Sequence, residues 1–280
     1  MFRKKDTAMS ECSVDMLQRI MPHPYLRNFE VHLTEHCNLR CFACNHYAPL
    51  AEEKYMDMHD FEKDFARMSF LTKGLVDYIL LLGGEPLLHP QVIDFLPVAR
   101  KYFPKTEINI FTNALKITEM PGSFWKSCSA NNIQVIITKY PIRLPWDKIL
   151  GIFEKYHVSF KLSDDGENKK SWKEPLDVHG KQNAKRNFLQ CRQANSCIFL
   201  KQGKLFTCGT PPNVVHFNRY FNQNVPVSEY DSIDIHKEDN IQTILRFLAS
   251  PIPFCRYCNI EGRRYDLDWR VSRKTIEEWI

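Results

Sequence analysis

The sequence predicts an α/β fold built from parallel βα units. Predicted strands and helices alternate from residue 28 to residue 162, which is typical of a parallel sheet with helices packed on it. Residues 78–82 (YILLL) form the longest apolar stretch, which predicts a buried strand and is far too short to span a bilayer. The chain has 280 residues, 44% of them hydrophobic and 25% charged, as in an ordinary globular protein.

The predicted elements follow one another in a regular order. In the first strand, residues 28–33, apolar Phe29, Val31 and Leu33 alternate with polar neighbours, which predicts a half-buried strand. Apolar residues at helical spacing, among them Phe61 and Phe65, predict the first helix. Later strands are predicted at 78–82, 107–112, 133–138 and 158–162. Helices are predicted at 58–75, 91–102, 124–131 and 146–156.

Polar residues and glycines follow the predicted strands. Residues 83–86 (GGEP) follow the second strand, Thr112 and Asn113 end the third, and Thr138 ends the fourth. Residues at the carboxyl ends of parallel strands form the active site in barrels and open α/β sheets. We therefore expect these residues to converge on one face.

Three cysteines, Cys37, Cys41 and Cys44, follow the first strand with the spacing C-x3-C-x2-C. Cysteine thiolates hold iron–sulfur clusters, usually four thiolates for a cubane cluster. Three ligands on one loop leave one iron without a protein ligand, and an open coordination site is where another molecule binds and reacts. The loop therefore predicts a catalytic iron–sulfur cluster.

The cysteine loop and the GGEP turn, each directly after a strand, resemble the radical S-adenosylmethionine (radical SAM) superfamily. The resemblance implies a partial TIM barrel whose three cysteines bind a [4Fe–4S] cluster, with SAM chelating the open iron. It also implies reductive cleavage of SAM to a 5′-deoxyadenosyl radical, which abstracts a hydrogen atom from the substrate.

The same resemblance implies which residues contact SAM. Gly83, Gly84, Glu85 and Pro86 approach the methionyl amine, and Glu85 is expected to pair with the ammonium. By their positions at strand ends, the residues that touch the ribose or carboxylate are expected to be Thr112, Asn113 and Thr138. One departure from the family pattern is Ala43, where an aromatic residue usually precedes the third cysteine; Phe42 lies one position earlier.

A second group of cysteines lies in the last third of the chain. Residues 198–208 predict a β-hairpin with its turn near Gln202 and Gly203, and a C-x2-C pair follows a predicted helix at about 240–248. These features resemble the auxiliary-cluster extension called SPASM or, when short, twitch. Because no cysteine follows Cys258, the short form with one auxiliary [4Fe–4S] cluster is favoured.

The resemblance implies Cys208, Cys255 and Cys258 as ligands of the auxiliary cluster, together with one upstream cysteine. Cys191 and Cys197 compete for that position, and we prefer Cys191 because the family ligand lies well before the glycine of the hairpin. A zinc site is the alternative for these four thiolates. Two further cysteines, Cys12 and Cys128, fit neither group and are interpreted as ordinary side chains.

The chain thus divides into four expected parts. They are an N-terminal segment (1–27), a radical SAM core (28–189), a small C-terminal iron–sulfur cluster-binding subdomain of the twitch/SPASM type (190–262) and a C-terminal helical tail (263–280).

Composition narrows the expected partners. The net charge of +5 suits an anionic substrate, and no block of like charges predicts a nucleic-acid partner. No signal peptide or membrane-spanning segment is predicted, so we expect a cytoplasmic protein without a membrane partner. With ten cysteines and no export signal, metal binding is favoured over disulfides. The family also implies a reductant such as flavodoxin or ferredoxin.

The leading hypothesis is a radical SAM oxidoreductase that oxidises a small polar metabolite, such as a sugar or cyclitol derivative, with the auxiliary cluster as electron acceptor. A peptide- or protein-modifying maturase is one alternative, disfavoured because only 36 residues precede Cys37. A non-enzymatic zinc or cluster-binding protein is the other.

No general base stands out. His36 and His46 are interpreted as loop packing, and Arg219 is the candidate for an anion contact.

Overall fold

The structure, a computed structural model, describes residues 19–280. Most of the predicted N-terminal segment and Cys12 therefore lie outside the described residues. The strands are β1 (Asn28–Thr34), β2 (Tyr78–Gly83), β3 (Glu107–Thr112), β4 (Ile133–Ile137), β5 (Phe160–Leu162), β6 (Ser171–Lys173), β7 (Phe199–Lys201), β8 (Lys204–Phe206), β9 (Ile233–Asp234) and β10 (Arg264–Leu267). The main α-helices are α1 (Met58–Thr72), α2 (Val92–Tyr102), α3 (Gly122–Ala130), α4 (Trp146–Tyr156), α5 (Ala184–Gln190), α6 (Thr210–Phe221) and α7 (Ile241–Leu248).

One eight-stranded sheet organises the molecule. Its strand order is β5-β4-β3-β2-β1-β7-β8-β9, and every pair from β5 to β7 is parallel. β8 and β9 continue the sheet by antiparallel pairing, whereas β6 and β10 form a separate antiparallel pair. The predicted partial barrel of parallel βα units is confirmed, and the predicted strands and helices agree with the structure to within a few residues.

β1 lies in the middle of the sheet and is buried along its whole length. Phe29 packs between α1 and the end of α2, with its ring 5.6 Å from that of Phe65 and 5.7 Å from that of Phe103. The alternate residues Asn28, Glu30, His32 and Thr34 are polar and also buried. The prediction of a half-buried strand is therefore wrong, because the polar face of β1 lines the interior of the barrel instead of meeting solvent.

The predicted hairpin is confirmed as β7 and β8. Gln202 and Gly203 at its turn both have positive φ, 51° and 73°, which suits a tight two-residue connection. Because β7 pairs with β1, this hairpin belongs to the barrel sheet and not to a separate subdomain. Its buried residues, including Leu200 and Leu205, join the main hydrophobic core.

The expected boundary at residue 190 does not coincide with a boundary in packing. A second hydrophobic core collects Phe188 of α5, Phe217 of α6, Phe254 and Trp279. Since Leu176 also belongs to this core, the C-terminal layer begins well before residue 190.

The expected C-terminal helical tail is also wrong. Residues 263–280 contain β10 and a single 3₁₀ turn, Ile276–Glu278. The backbone of this tail bonds to distant segments: Phe42 donates its N–H to the Arg270 carbonyl, and Leu176 donates to the Trp279 carbonyl, over 2.9 and 2.7 Å. A helix could not offer these groups, because it would use them internally.

Within residues 19–280, none of the helices combines the length and the apolar character that crossing a membrane requires.

Candidate functional site

A cavity of about 380 Å³ opens at the carboxyl ends of β1 to β4. Its wall contains every residue that the sequence assigns to the first cluster and to SAM. These residues are Cys37, Cys41, Cys44, Gly83, Gly84, Glu85, Pro86, Thr112, Asn113 and Thr138. Segments separated by up to a hundred residues thus meet at one site, as the strand-end rule predicts.

The GGEP turn packs directly on the backbone that leads into the cysteine loop. Gly84 donates its N–H to the Thr34 carbonyl over 3.0 Å, and Glu85 donates to the His36 carbonyl over 3.1 Å. A Cβ atom on Gly83 would lie 2.1 Å from the Thr34 carbonyl oxygen, and one on Gly84 would lie 2.0 Å from that of His36. The two glycines are therefore required by contact between two chain segments, in addition to any contact with a ligand.

Glu85 is held in the cavity wall by hydrogen bonds from the end of β3. The side chain is only 1% exposed and accepts hydrogen bonds from Thr112 Oγ1 and Asn113 N, each over 2.8 Å. Burial raises the pKa of Glu85 to about 7, although these bonds and one from Leu87 N oppose the rise. The carboxylate therefore positions the end of β3, and its pairing with the SAM ammonium stays a prediction.

Asn113 links the end of β3 to the first cysteine. Its Nδ2 donates to Asn38 Oδ1 over 2.8 Å and lies 3.6 Å from Cys37 Sγ. Burial raises the pKa of Cys44 to about 11, and it raises that of Cys37 as well. A bound metal would favour the thiolate form of both side chains, so this donor set fits an iron–sulfur cluster.

Phe42 does not replace the aromatic side chain that usually precedes the third cysteine, where this chain has Ala43. The Phe42 ring lies under the Arg270 guanidinium, whose central carbon is 3.7 Å from the ring centroid. Tyr140 and Trp172 contribute aromatic surface to the cavity instead. Tyr140 follows β4 and Trp172 lies on β6, and neither belongs to a local sequence motif that would predict its place in the cavity.

The second group of cysteines encloses a separate cavity. Cys191, Cys208, Cys255 and Cys258 line it together with apolar side chains such as Phe254. Cys197 does not line it and lies instead in the wall of the first cavity. The structure thus brings together the four cysteines that the sequence preferred.

The second cavity is narrow, with a volume of about 10 Å³, so a bound cluster would need the four side chains to move apart. No three His, Cys, Asp or Glu side chains within residues 19–280 are placed to hold a single metal ion. The four thiols form a ligand set that suits a thiolate-bound cluster, and the Arg263 guanidinium donates a hydrogen bond from Nη2 to Cys191 Sγ over 3.3 Å. Asn187 steadies the C-x2-C pair by donating to the Cys255 carbonyl over 2.8 Å.

Part of the chain matches a protein-family model. Residues 31–135, which include the cysteine loop and the GGEP turn, match the family model of the Radical SAM superfamily. The chain contains a radical SAM domain. The superfamily uses a [4Fe–4S] cluster and SAM, the two cofactors that the cysteine loop and the GGEP turn predict.

Two curated relatives share part of the radical SAM domain. Molybdenum cofactor biosynthesis protein 1 of Bos taurus is 33% identical over 114 residues, covering 40% of this chain and 18% of that protein. GTP 3',8-cyclase of Sulfurovum sp. (strain NBC37-1) is 33% identical over 90 residues, covering 32% of this chain and 27% of that protein. The matched segments thus span less than a third of each relative's length.

A solved structure resembles the whole chain and not the radical SAM domain alone. The structure of BtrN in complex with AdoMet and 2-DOIA superposes with a TM-score of 0.51 and 16% identity, covering 92% of this chain and 98% of that chain. At this identity the likeness shows a shared fold.

Some residues of the site escaped sequence reasoning. Glu30 lines the first cavity without belonging to a motif, and so does Cys197, which the sequence offered only as a competing ligand of the auxiliary cluster. Glu35, just before the cysteine loop, accepts from Lys201 Nζ over 2.8 Å and lies 2.7 Å from His216 Nε2. Burial alone would raise the pKa of Glu35, but His216, His32 and Lys201 hold it well below its ordinary value.

The remaining candidates are placed as follows. His46 lines the first cavity, with Nδ1 3.1 Å from the Gly83 carbonyl oxygen. Cys128 is buried in α3, away from both cavities. Arg219 forms a surface ion pair with Glu52, 2.6 Å apart, and does not line the first cavity, so the structure does not support its predicted anion contact.

Proposed function

We propose that the chain is a radical SAM oxidoreductase that removes two electrons from an alcohol of a small polar metabolite of the sugar or cyclitol class. The observation that carries this proposal is the second cavity, because its four cysteines would supply a ligand to every iron of an auxiliary [4Fe–4S] cluster. Such a cluster has no open iron for substrate, which leaves electron transfer as its role.

Different residues of the first cavity would bind the cluster and position the cysteine loop. Cys37, Cys41 and Cys44 would hold the first cluster, and Asn113 bonds beside Cys37 to fix the loop. When bound, the cofactors supply a 5′-deoxyadenosyl radical and a one-electron acceptor, while the protein supplies binding and orientation. A one-electron donor such as flavodoxin or ferredoxin is the expected partner.

The wall of the first cavity supports a polar substrate. Its Lys169 and Asp164 form an ion pair, with Nζ 3.0 Å from Oδ2, so a substrate hydroxyl at this point meets charged groups of both signs.

The test is anaerobic reconstitution with iron and sulfide, followed by reduction and incubation with SAM and a panel of cyclitols, aminocyclitols and monosaccharides. We expect 5′-deoxyadenosine together with a product two hydrogens lighter than its substrate. Cys255→Ala should lose the oxidised product. Cys128→Ala, which removes a thiol away from both cavities, is the matched control and should retain it.

Three outcomes would contradict the proposal. They are an isomerised substrate without loss of hydrogen, reconstituted protein that does not cleave SAM, and bound zinc with no iron.

A second candidate function is cyclisation of a nucleotide. It is favoured by the 33% identity to GTP 3',8-cyclase within the radical SAM domain and by the net charge of +5, which suits an anionic substrate. GTP therefore belongs in the panel. A product of GTP with unchanged mass would favour this function over oxidation.

A further inference from the structure

Glu30 is a buried carboxyl group in the wall of the first cavity. Its side chain is 9% exposed and lies on the inward face of β1, below His32 and Thr34. The side-chain partner of its carboxyl is the thiol of Cys197, which also lines this cavity. The apolar residues Leu80 and Phe111 line the same part of the wall.

A further cavity, here called the amino-end cavity, lies at the opposite end of the strands. It has a volume of about 200 Å³ and a mostly polar wall. Its lining is Arg19, His23, Arg27, Asn28, Tyr78, Asn195, Ser196 and Ile198.

A single layer of residues separates the two cavities. Asn28 lines the amino-end cavity and Glu30 the first cavity, two positions apart on β1. Tyr78 and Leu80 repeat this relation on β2, and Cys197 directly follows Ser196. Two residues of a strand span about 7 Å, so Glu30 lies within one side-chain length of both spaces.

The surroundings of Glu30 allow it to exchange a proton near neutral pH. Burial raises its pKa to about 7, while the neighbouring Cys197 thiol opposes the rise. The ionisable groups that face it are Cys197, from the segment before β7, and Tyr78, from β2. Both are uncharged at neutral pH, because burial raises the pKa of each.

We propose that Glu30 accepts the proton that the substrate hydroxyl loses during oxidation and releases it through the amino-end cavity. This inference rests on the proposed function. The carbon-bound hydrogen of the alcohol leaves as an atom to the 5′-deoxyadenosyl radical. The hydroxyl proton passes to the Glu30 carboxylate, one electron passes to the auxiliary iron–sulfur cluster, and the carbon–oxygen double bond forms.

The decisive variant is Glu30→Gln, which keeps the size of the side chain and removes the proton acceptor. In reconstituted holoenzyme with a substrate from the panel, we expect SAM cleavage to continue. The yield of oxidised product per 5′-deoxyadenosine should fall about 100-fold, which is within the usual contribution of a general base. Glu30→Asp should restore part of this yield. Glu107→Gln at the exposed start of β3 is the matched control and should behave as wild type.

A second measurement needs no substrate. Infrared difference spectra of the holoenzyme at about pH 5 and pH 9 should contain a protonated-carboxyl band that titrates near neutral pH. Glu30→Gln should remove part of this band and Glu107→Gln none, while Glu85, whose pKa is also raised to about 7, supplies the remainder.

Different results would overturn the role of Glu30 and the proposed function. A wild-type product yield in Glu30→Gln, or an unchanged infrared band, would overturn the role of Glu30 alone. Wild-type enzyme that oxidises no member of the panel would overturn the proposed function and, with it, the origin of the proton.

Discussion

The absence of a Cβ atom at Gly83 and Gly84 allows two backbone segments of the site to make contact. A Cβ atom on Gly84 would lie 2.0 Å from the His36 carbonyl oxygen and 2.8 Å from the Cys37 backbone nitrogen. Both contacts are with backbone, which cannot rotate away as a side chain can. We therefore predict that Gly84→Ala displaces the cysteine loop, and that the reconstituted variant binds about four irons fewer than wild type.

The matched control for this prediction is Gly151→Ala. Gly151 lies in α4, where an added Cβ would meet no atom within 4 Å. The substitution should stabilise the helix by about 0.5–1 kcal/mol and leave iron binding unchanged. Equal iron content in Gly84→Ala and Gly151→Ala would show that the loop tolerates the displacement.

Glu30 should make the folding stability of the protein depend on pH, and the direction of this dependence follows from its raised pKa. The pKa is about 7 in the folded protein and about 4.5 in the unfolded chain, so the folded state binds the proton more tightly. This contribution to stability is complete below about pH 4.5 and is lost as the pH rises through 7.

Relative to wild type, Glu30→Gln should therefore gain stability between about pH 5 and pH 8, by about 3 kcal/mol at most. Thermal unfolding of both proteins across that range measures the difference. Glu85 is present in both and cancels. A difference that does not change with pH would contradict the raised pKa of Glu30.

Sequence reasoning located ten residues of the first cavity because they lie in short motifs at strand ends. It missed Glu30 because alternating polarity on β1 predicts a solvent-facing side, whereas in a barrel that side faces the interior. It missed Trp172 because that residue lies on a three-residue strand that pairs with β10, about ninety residues away. Such pairings depend on tertiary contacts that no local pattern records.

At the scale of elements, one carboxylate fastens the β7–β8 hairpin to the barrel. Asp64 of α1 is only 5% exposed. Its Oδ2 accepts a hydrogen bond from the Gly203 N–H over 2.8 Å, and its Oδ1 lies 2.8 Å from His236 Nε2. We predict that Asp64→Ala leaves the Gly203 N–H without its partner and destabilises the protein by about 2–4 kcal/mol.

Chemical denaturation measures this loss, and hydrogen exchange should show faster opening of β7 and β8 than of β3. Lys63→Ala, at the neighbouring exposed position of the same helix, is the control and should change stability by less than about 0.5 kcal/mol. Equal exchange rates in the two variants would mean that strand pairing with β1 alone holds the hairpin.

The elements also show where local patterns stop being informative. The hairpin could be predicted because its turn residues carry their own signal, Gly203 with φ of 73°. The tail could not, because its conformation depends on Arg40, Phe42 and Leu176, whose backbone groups bond with it across the molecule.

At the scale of the whole molecule, the two cysteine groups are parts of one scaffold. β8 runs directly into Cys208, while β1, in the same sheet, runs directly into the loop of Cys37. Trp279 adds a second link by donating its Nε1–H to the Cys44 carbonyl over 2.9 Å. The relative placement of the two cysteine groups therefore depends on strand pairing within this sheet.

This scaffold separates the roles of Cys191 and Cys197. Cys191 lies with Cys208, Cys255 and Cys258, whereas Cys197 lies in the first cavity beside Glu30. We predict that reconstituted wild-type protein binds about eight irons, that Cys191→Ala binds about four, and that Cys197→Ala keeps about eight. Iron and sulfide analysis, with electron paramagnetic resonance of the reduced proteins, measures the content and counts the clusters. If Cys197→Ala loses four irons and Cys191→Ala none, the fourth ligand is Cys197, and the thiol beside Glu30 belongs to the auxiliary cluster.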